Sequence, residues 1–187
     1  MGSGIAHVCA LAGYDVQLLD MTDELLEKAV AGIEWNMSRQ AAKGKITEDD
    51  QAAALARIAT GTDYAAFGDC DLVIEAIAER IDWKSDLYRK VAPYLKADAI
   101  FATNTSGNVI GELSQAVKEA RRPRFIGMHW FSPAFIMRLV EIIHAPETAE
   151  ETIQLLEEIQ NSSPATPPTS QIQETTTMSA RAHRRAR

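Results

Sequence analysis

The chain has 187 residues, of which 46% are hydrophobic and 24% are charged, and its net charge is -7. This composition indicates a globular domain with its own core, and the negative charge argues against general binding of nucleic acid. The apolar runs are too short to span a membrane, and the N-terminus lacks the pattern of a signal peptide. Cys9 and Cys70 make no disulfide framework, which favours the cytoplasm as the location.

The first twenty residues predict a helix followed by a short strand. The helix has apolar residues at Ile5, Val8 and Leu11, and Gly13 fits its C-terminal end. Residues 16–19 then form an apolar strand. Helix and strand in this order are typical of the second half of a dinucleotide-binding unit, although many other α/β proteins contain them as well.

Two residues of this first segment fit roles in binding a dinucleotide. Gly2 stands where such a unit needs a glycine for close packing of the helix on a strand. Asp20 follows the strand, where an acidic residue binds the adenosine ribose. An aspartate at this place also favours NAD over NADP, because its charge repels the 2′-phosphate.

A helical hairpin is predicted next. Residues 22–42 form a long helix with Thr22 as its N-cap, and Lys43-Gly44-Lys45 ends it. The second helix runs from Thr47 to about residue 58. The long helix has one apolar face, which consists of Leu26, Val30, Ile33 and Met37.

Two further strands are predicted at residues 71–76 and 99–103, and polar residues follow both. Glu79 comes after the first strand, and Lys84 lies at the start of a predicted helix over 82–95. Asn104, Thr105 and Ser106 follow the second strand. Ligands sit at the carboxyl ends of strands in an open parallel sheet. The alternatives are a surface pair of Glu79 with Lys84 and an ordinary polar loop at Asn104–Ser106.

The most informative stretch comes after a predicted helix over 111–120. Two short apolar runs, Phe125–Met128 and Leu139–Ile143, predict buried strands. His129 closes the first run and Glu141 lies inside the second. A buried carboxylate needs a partner, and an imidazole held by a carboxylate keeps its other nitrogen free as a base. The alternative is that these are two unrelated polar residues near strand ends.

This stretch resembles the catalytic segment of the L-3-hydroxyacyl-CoA dehydrogenases. The matching motifs are Gly-Met-His-Trp-Phe-Ser-Pro at 127–133 and Met-Arg-Leu-Val-Glu-Ile-Ile at 137–143. The resemblance implies an α/β fold of the Rossmann type: a doubly wound, mostly parallel sheet, here lacking its first strand, with a protruding helical hairpin. It also implies NAD-dependent oxidation of an L-3-hydroxyacyl-CoA to the 3-oxoacyl-CoA in fatty acid metabolism.

The resemblance assigns roles to individual residues. His129 is the general base, Glu141 orients it, and Ser106 bonds the reacting oxygen. Gly107 and Ser132 replace a serine and an asparagine that the family usually carries. The residues implied to bind NAD are Gly2, Asp20, Glu79, Lys84, Ser106 and Ser132, those implied to bind coenzyme A are Lys43, Lys84 and Ser106, and no metal is implied. Lys43 also fits an ordinary solvated cation at a helix end.

We expect the NAD-binding domain to cover residues 1–160, with its last helix over 146–160. Residues 161–187 are rich in Ser, Thr, Pro and Gln and predict a disordered tail. Compared with the family, we expect the chain to be truncated at both ends, which makes the family's homodimer doubtful here. The partner is an acyl-CoA, with neither nucleic acid nor membrane expected. The rival hypotheses are a non-catalytic fragment with a residual cofactor site and a dehydrogenase of the L-gulonate type.

Overall fold

Helices and strands alternate along most of the chain in the computed structural model, which describes residues 1–137, 139–161 and 169–170. The helices are α1 (Gly2–Leu11), α2 (Asp23–Ala41), α3 (Glu48–Ala56), α4 (Ile81–Val91), α5 (Ile110–Ser114) and α6 (Glu150–Asn161), with 3₁₀ turns at Tyr64–Phe67 and Glu119–Arg124. The strands are β1 (Val16–Leu19), β2 (Ile58–Gly61), β3 (Leu72–Glu75), β4 (Ile100–Thr103), β5 (Phe125–Trp130), β6 (Val140–His144) and β7 (Thr169–Ser170).

The strands form two sheets. β1 pairs in parallel with β2, and the second sheet has the order β3-β4-β5-β6-β7. Its pairs are parallel except for β5 and β6, which are antiparallel. A cavity of about 1650 Å³ is lined by both β1 and β3. Within the described part of the chain, β1 pairs only with β2, and β3 pairs only with β4.

Helices cover both faces of the larger sheet. Ala102 and Ile126 on one face pack with α1 and α6, whereas Phe101 and Phe125 on the other pack with α4 and α5. A third cluster joins α1 to the hairpin of α2 and α3. This alternation follows the period of two in buried strands. None of the helices in the described ranges combines the length and apolar character needed to cross a membrane.

The predicted helical hairpin is confirmed. Thr22 Oγ1 accepts a hydrogen bond from the Leu25 amide at the start of α2, and Thr47 and Asp50 form a reciprocal capping box on α3. The predicted end of α3 at residue 58 is wrong, however. The helix ends at Ala56, and residues 58–61 form β2, whose pairing with β1 outweighs continuation of the helix.

Three other predicted helices are shorter than expected. The helix predicted over 82–95 is α4, which ends at Val91. The helix predicted over 111–120 is the five-residue α5 followed by a 3₁₀ turn that contains Pro123, which cannot donate a backbone hydrogen bond. α6 begins at Glu150 rather than at residue 146, because the Ala149 amide donates to the Pro123 carbonyl.

The predicted tail over 161–187 is only partly described. Asn161 is the last residue of α6, and Thr169–Ser170 pair with β6. The other residues of this segment lie outside those that the structure describes.

Candidate active site

His129 and Glu141 face each other across two antiparallel strands. The register of β5 with β6 places them directly opposite, and the side chains of such a pair lie on the same face. Nδ1 of His129 lies 2.7 Å from Oε2 of Glu141. The contact predicted from the sequence is therefore present, and the alternative of two unrelated residues is wrong.

The imidazole stays open to ligands. The side chains of His129 and Glu141 are 19% and 28% exposed, whereas Met128 and Trp130 on either side are buried. The Phe131 ring lies 4.7 Å from the imidazole, measured between ring centroids. Because Glu141 occupies Nδ1, Nε2 is the nitrogen that can exchange a proton with a ligand.

Asn104 holds the polar turn after β4 against the strand of His129. Its Oδ1 accepts a hydrogen bond of 2.9 Å from the Trp130 amide. Ser106, two residues later, is exposed. The structure thus brings the turn that carries Ser106 to the strand that carries His129. We did not predict this role of Asn104, although the motif Asn104–Ser106 contained the signal.

Glu79 ties the same turn to the end of β3. Its Oε2 accepts hydrogen bonds of 2.6 Å from both Thr105 Oγ1 and Asn108 Nδ2. Asn108 Nδ2 also lies 3.1 Å from Thr105 Oγ1. Because these contacts fix the residues on both sides of Ser106, Glu79 orders the turn in addition to its predicted role in binding NAD.

Lys84 lies in the interior instead of on the surface. Its side chain is 0% exposed, and its Nζ donates to Glu75 Oε1 at 2.7 Å and lies 3.9 Å from Glu79 Oε1. The alternative of a surface pair with Glu79 is therefore wrong. Direct contact of Lys84 with NAD or coenzyme A stays a prediction. In the structure, the Lys84 ammonium donates to the Glu75 carboxylate.

Glu75 is a buried residue of the candidate site that the sequence analysis missed. Besides Lys84, its carboxylate accepts hydrogen bonds of 2.8 Å from the hydroxyls of Tyr88 and Thr103 and one of 2.7 Å from the Ile77 amide. Burial and the adjacent Glu75 carboxylate raise the pKa of Tyr88, so the phenol remains a donor. The available signal was a glutamate ending a buried strand nine residues before a lysine.

The first turn of α1 and Asp20 both contribute to the lining of the cavity. Met1, Gly2, Ser3 and Asp20 all line it. No side chain caps α1, so the Gly2 and Ser3 amides remain available as donors, and the exposed Asp20 carboxylate accepts from the Met21 amide. Amide donors at a helix N-terminus suit a diphosphate, and a carboxylate at the next strand end suits a ribose. These residues fit NAD.

The packing role of Gly2 stays a prediction. A Cβ atom built there would meet no atom within 4 Å, so the position is open. The close approach occurs instead at Gly4, where a Cβ would lie 3.4 Å from Cβ of Ala134.

Lys43 and Ser132 lie on the surface. Lys43 follows α2 in a turn whose Gly44 has a positive φ of 64°, and Ser132 lies in the turn after β5. Their roles in binding coenzyme A and NAD stay predictions.

The fold and these contacts define a dinucleotide-binding α/β domain of the Rossmann type with a histidine–glutamate pair. The family model described as 3-hydroxyacyl-CoA dehydrogenase, NAD binding domain matches residues 1–167. The chain therefore belongs to this family, whose cofactor is NAD, and the predicted family and fold class are confirmed.

Several known proteins are similar to this chain. A probable 3-hydroxybutyryl-CoA dehydrogenase of Deinococcus radiodurans is 39% identical over 158 residues, which cover 84% of this chain and 56% of that protein. The mitochondrial hydroxyacyl-coenzyme A dehydrogenase of Sus scrofa is 39% identical over 163 residues, with 83% and 51% covered. The crystal structure of (S)-3-hydroxybutyryl-CoA dehydrogenase from Ralstonia eutropha has a TM-score of 0.85 at 37% identity and covers 90% of this chain and 59% of that one. The chain spans about half the length of the curated relatives it matches.

Proposed function

We propose that the protein serves the NAD-dependent oxidation of L-3-hydroxyacyl-CoA to 3-oxoacyl-CoA in fatty acid β-oxidation. The observation that carries the proposal is the 2.7 Å contact of His129 with Glu141 on a partly exposed strand pair. Bound NAD supplies the acceptor for the hydride that leaves C3 of the substrate. The proton of the 3-hydroxyl group goes to His129, so the alcohol loses one hydride and one proton.

His129 acts as the base through Nε2, because Nδ1 is occupied by Glu141. The Glu141 carboxylate fixes the tautomer with its proton on Nδ1 and stabilises the imidazolium after proton transfer. Ser106 donates to the reacting oxygen, in a turn that Asn104 and Glu79 hold in place.

The NAD site is supported by the first turn of α1 together with Asp20. The amides of Gly2 and Ser3 would hold the diphosphate, and Asp20 the adenosine ribose. Glu79 and Ser132 would line the nicotinamide end. Because the Lys84 side chain is buried against Glu75, we propose that Lys84 contributes to the NAD site mainly by holding the Glu75 carboxylate in place.

The substrate is an acyl-CoA, with Lys43 as a contact for the coenzyme A portion. We further propose that residues 1–160 form the NAD-binding domain. Light scattering of the purified chain tests whether it forms the family's homodimer.

The proposed location is the cytoplasm. Cys9 and Cys70 are free thiols, and burial raises the pKa of Cys9 to about 11, which makes that thiol unreactive.

A non-catalytic role is the second candidate, and the open cavity between β1 and β3 favours it. In this role the chain keeps a partial NAD site that binds weakly and supports little turnover. Calorimetry with NAD combined with an assay of acetoacetyl-CoA reduction by NADH separates the two candidates. NAD binding without turnover would support the second.

The catalytic proposal is tested by His129→Gln. We expect turnover to fall by about 10²- to 10⁴-fold, the usual contribution of a general base, while the dissociation constant for NAD stays nearly constant. His144→Gln on β6 is the matched control, because this partly buried histidine lies opposite Ile126 and away from Glu141. A loss below tenfold in His129→Gln, or an equal loss in the control, would show that the assigned base is wrong.

A further inference from the structure

The turn that carries Ser106 is closed by the side chain of Asn108. Nδ2 of Asn108 donates to Glu79 Oε2 at 2.6 Å and lies 3.1 Å from Thr105 Oγ1. The backbone amide of Asn108 donates to the same hydroxyl oxygen at 3.2 Å. Thr105 is buried, whereas Ser106 and Gly107 are exposed. Asn108 therefore ties the exposed part of the turn to its buried beginning.

Gly107 makes this closure important, because it follows Ser106 directly. A Cβ atom built at Gly107 would meet no atom within 4 Å, so no neighbouring group packs against that side of the turn. Glycine also loses more conformational freedom on folding than any other residue. The backbone at Ser106 would share this freedom if the far end of the turn were not held by Asn108.

Glu79 connects the contacts of Asn108 to the interior. Its Oε2 accepts from both Asn108 and Thr105, whereas its Oε1 lies 3.9 Å from the Lys84 ammonium. Lys84 is 0% exposed and is bound to Glu75 at 2.7 Å. Hydrogen bonds to a charged acceptor are stronger than those to a neutral one. The turn is thus held by a carboxylate that itself lies next to a buried ion pair.

We propose that Asn108 is a positioning residue that fixes the turn carrying Ser106. Its contacts with Thr105 and Glu79 direct the Ser106 hydroxyl toward the reacting oxygen, a role of Ser106 that rests on the proposed dehydrogenase function. Misplacing a reacting group by about 1 Å can lower a rate about 100-fold, so the order of the turn matters for turnover. Because Asn108 is only partly buried, its truncation should leave the fold intact.

Asn108→Ala in the full chain tests the proposal with two measurements. In NMR hydrogen exchange, the protection of the amide at position 108 should fall about tenfold or more, since the hydrogen bond to the Glu79 carboxylate is lost. In the reduction of acetoacetyl-CoA by NADH, kcat should fall about 10- to 100-fold while KM, the NAD dissociation constant and Tm stay nearly constant. Gln154→Ala is the matched control, because Gln154 Nε2 donates to the Glu150 carboxylate at 3.3 Å within α6.

Exchanging donor and acceptor tests the contact itself. Asn108→Asp places a carboxylate where Nδ2 now lies 2.6 Å from Glu79 Oε2, and the repulsion should lower kcat below that of Asn108→Ala. Adding Glu79→Gln supplies an amide donor to that carboxylate and should restore most of the lost kcat, measured at saturating NADH. A general contribution of Asn108 to folding would not produce this recovery.

The outcomes separate this proposal from the proposed function. Unchanged protection at position 108 in Asn108→Ala, or an equal loss of kcat in Gln154→Ala, would overturn it. Lower protection with unchanged kcat would also overturn it, because the order of the turn would then have no effect on Ser106. If the parent chain shows no turnover, the dehydrogenase function fails for this chain, and the exchange measurement alone decides whether Asn108 fixes the turn.

Discussion

In the proposed reaction Glu141 acts through His129, and this makes the contribution of Glu141 measurable. The 2.7 Å contact joins the two side chains into one unit, so removing either member removes the same function. Glu141→Gln should lower turnover in the same direction as His129→Gln. The double variant should lose much less than the product of the two single losses, measured with acetoacetyl-CoA and NADH. Multiplicative losses would mean that the residues act separately.

We propose that Asp20 determines which dinucleotide the chain prefers. Its carboxylate is exposed at the end of β1, where it can accept from a ribose and repel a 2′-phosphate. Asp20→Ala removes both effects and should shift the ratio of affinities from NAD toward NADP. Calorimetry with each cofactor measures that ratio. An unchanged ratio would place Asp20 outside the site.

His7 makes the stability of the fold depend on pH. Its ring is buried on α1, stacks on Phe135 at 5.2 Å between centroids, and lies 3.4 Å from Gln40 Oε1. Burial lowers the pKa of His7, so the unfolded chain binds its proton more readily. The free energy of unfolding should therefore fall as pH drops below about 6.5, by at most about 1.4 kcal/mol per pH unit. Urea unfolding at several pH values should give a smaller slope for His7→Gln, and equal slopes would contradict this assignment.

At the scale of elements, β3, α4 and the end of β4 are joined by the buried carboxylate of Glu75. Glu75→Gln leaves the Lys84 ammonium buried without its closest partner, which should cost about 3–5 kcal/mol of unfolding free energy. Glu79→Gln is the comparison: this side chain is 44% exposed and 3.9 Å from Lys84, so the loss should stay below about 1 kcal/mol. Adding Lys84→Met to Glu75→Gln should recover part of the loss. Equal effects of the two single variants would contradict a buried anchor.

The sequence predicts those elements whose patterns are local. The apolar runs before His129 and around Glu141 predicted both strands, and the capping residues Thr22 and Thr47 predicted the hairpin helices. β2 was missed because Ile-Ala-Thr-Gly at 58–61 carries no clear strand pattern and is held by its pairing with β1. The Glu75–Lys84 contact was missed because it depends on how α4 packs against the sheet.

The histidine–glutamate contact could be predicted as a pair but not in its geometry. The sequence resemblance identified Glu141 as the partner of His129. The antiparallel pairing of β6 with β5 places the two side chains directly opposite each other. A mostly parallel sheet does not imply this reversal. The sequence thus identifies the two residues, and the tertiary arrangement fixes their relative position.

At the scale of the whole molecule, the division into two sheets is the dominant feature. β1 and β3 both line the cavity, and within the described ranges neither has a strand on that side. Such edges present unsatisfied backbone donors and acceptors that pair readily with other chains. Leu18 packs on the α1–α3 cluster and also lines the cavity, whereas Leu19, its neighbour on β1, lines the cavity without belonging to that cluster.

We therefore expect the purified chain to self-associate through the edge of β1, with an apparent mass that rises with concentration. Leu19→Lys should raise the dissociation constant of this association by about tenfold or more, because symmetric pairing would bring two like charges together. Ile136→Lys is the control, since it removes an exposed apolar residue, 62% accessible, from the loop after β5 and away from both edges. Sedimentation velocity over a hundredfold concentration range would measure the effect. Equal association of the two variants would mean that exposed apolar surface in general, and not the open strand edge, drives it.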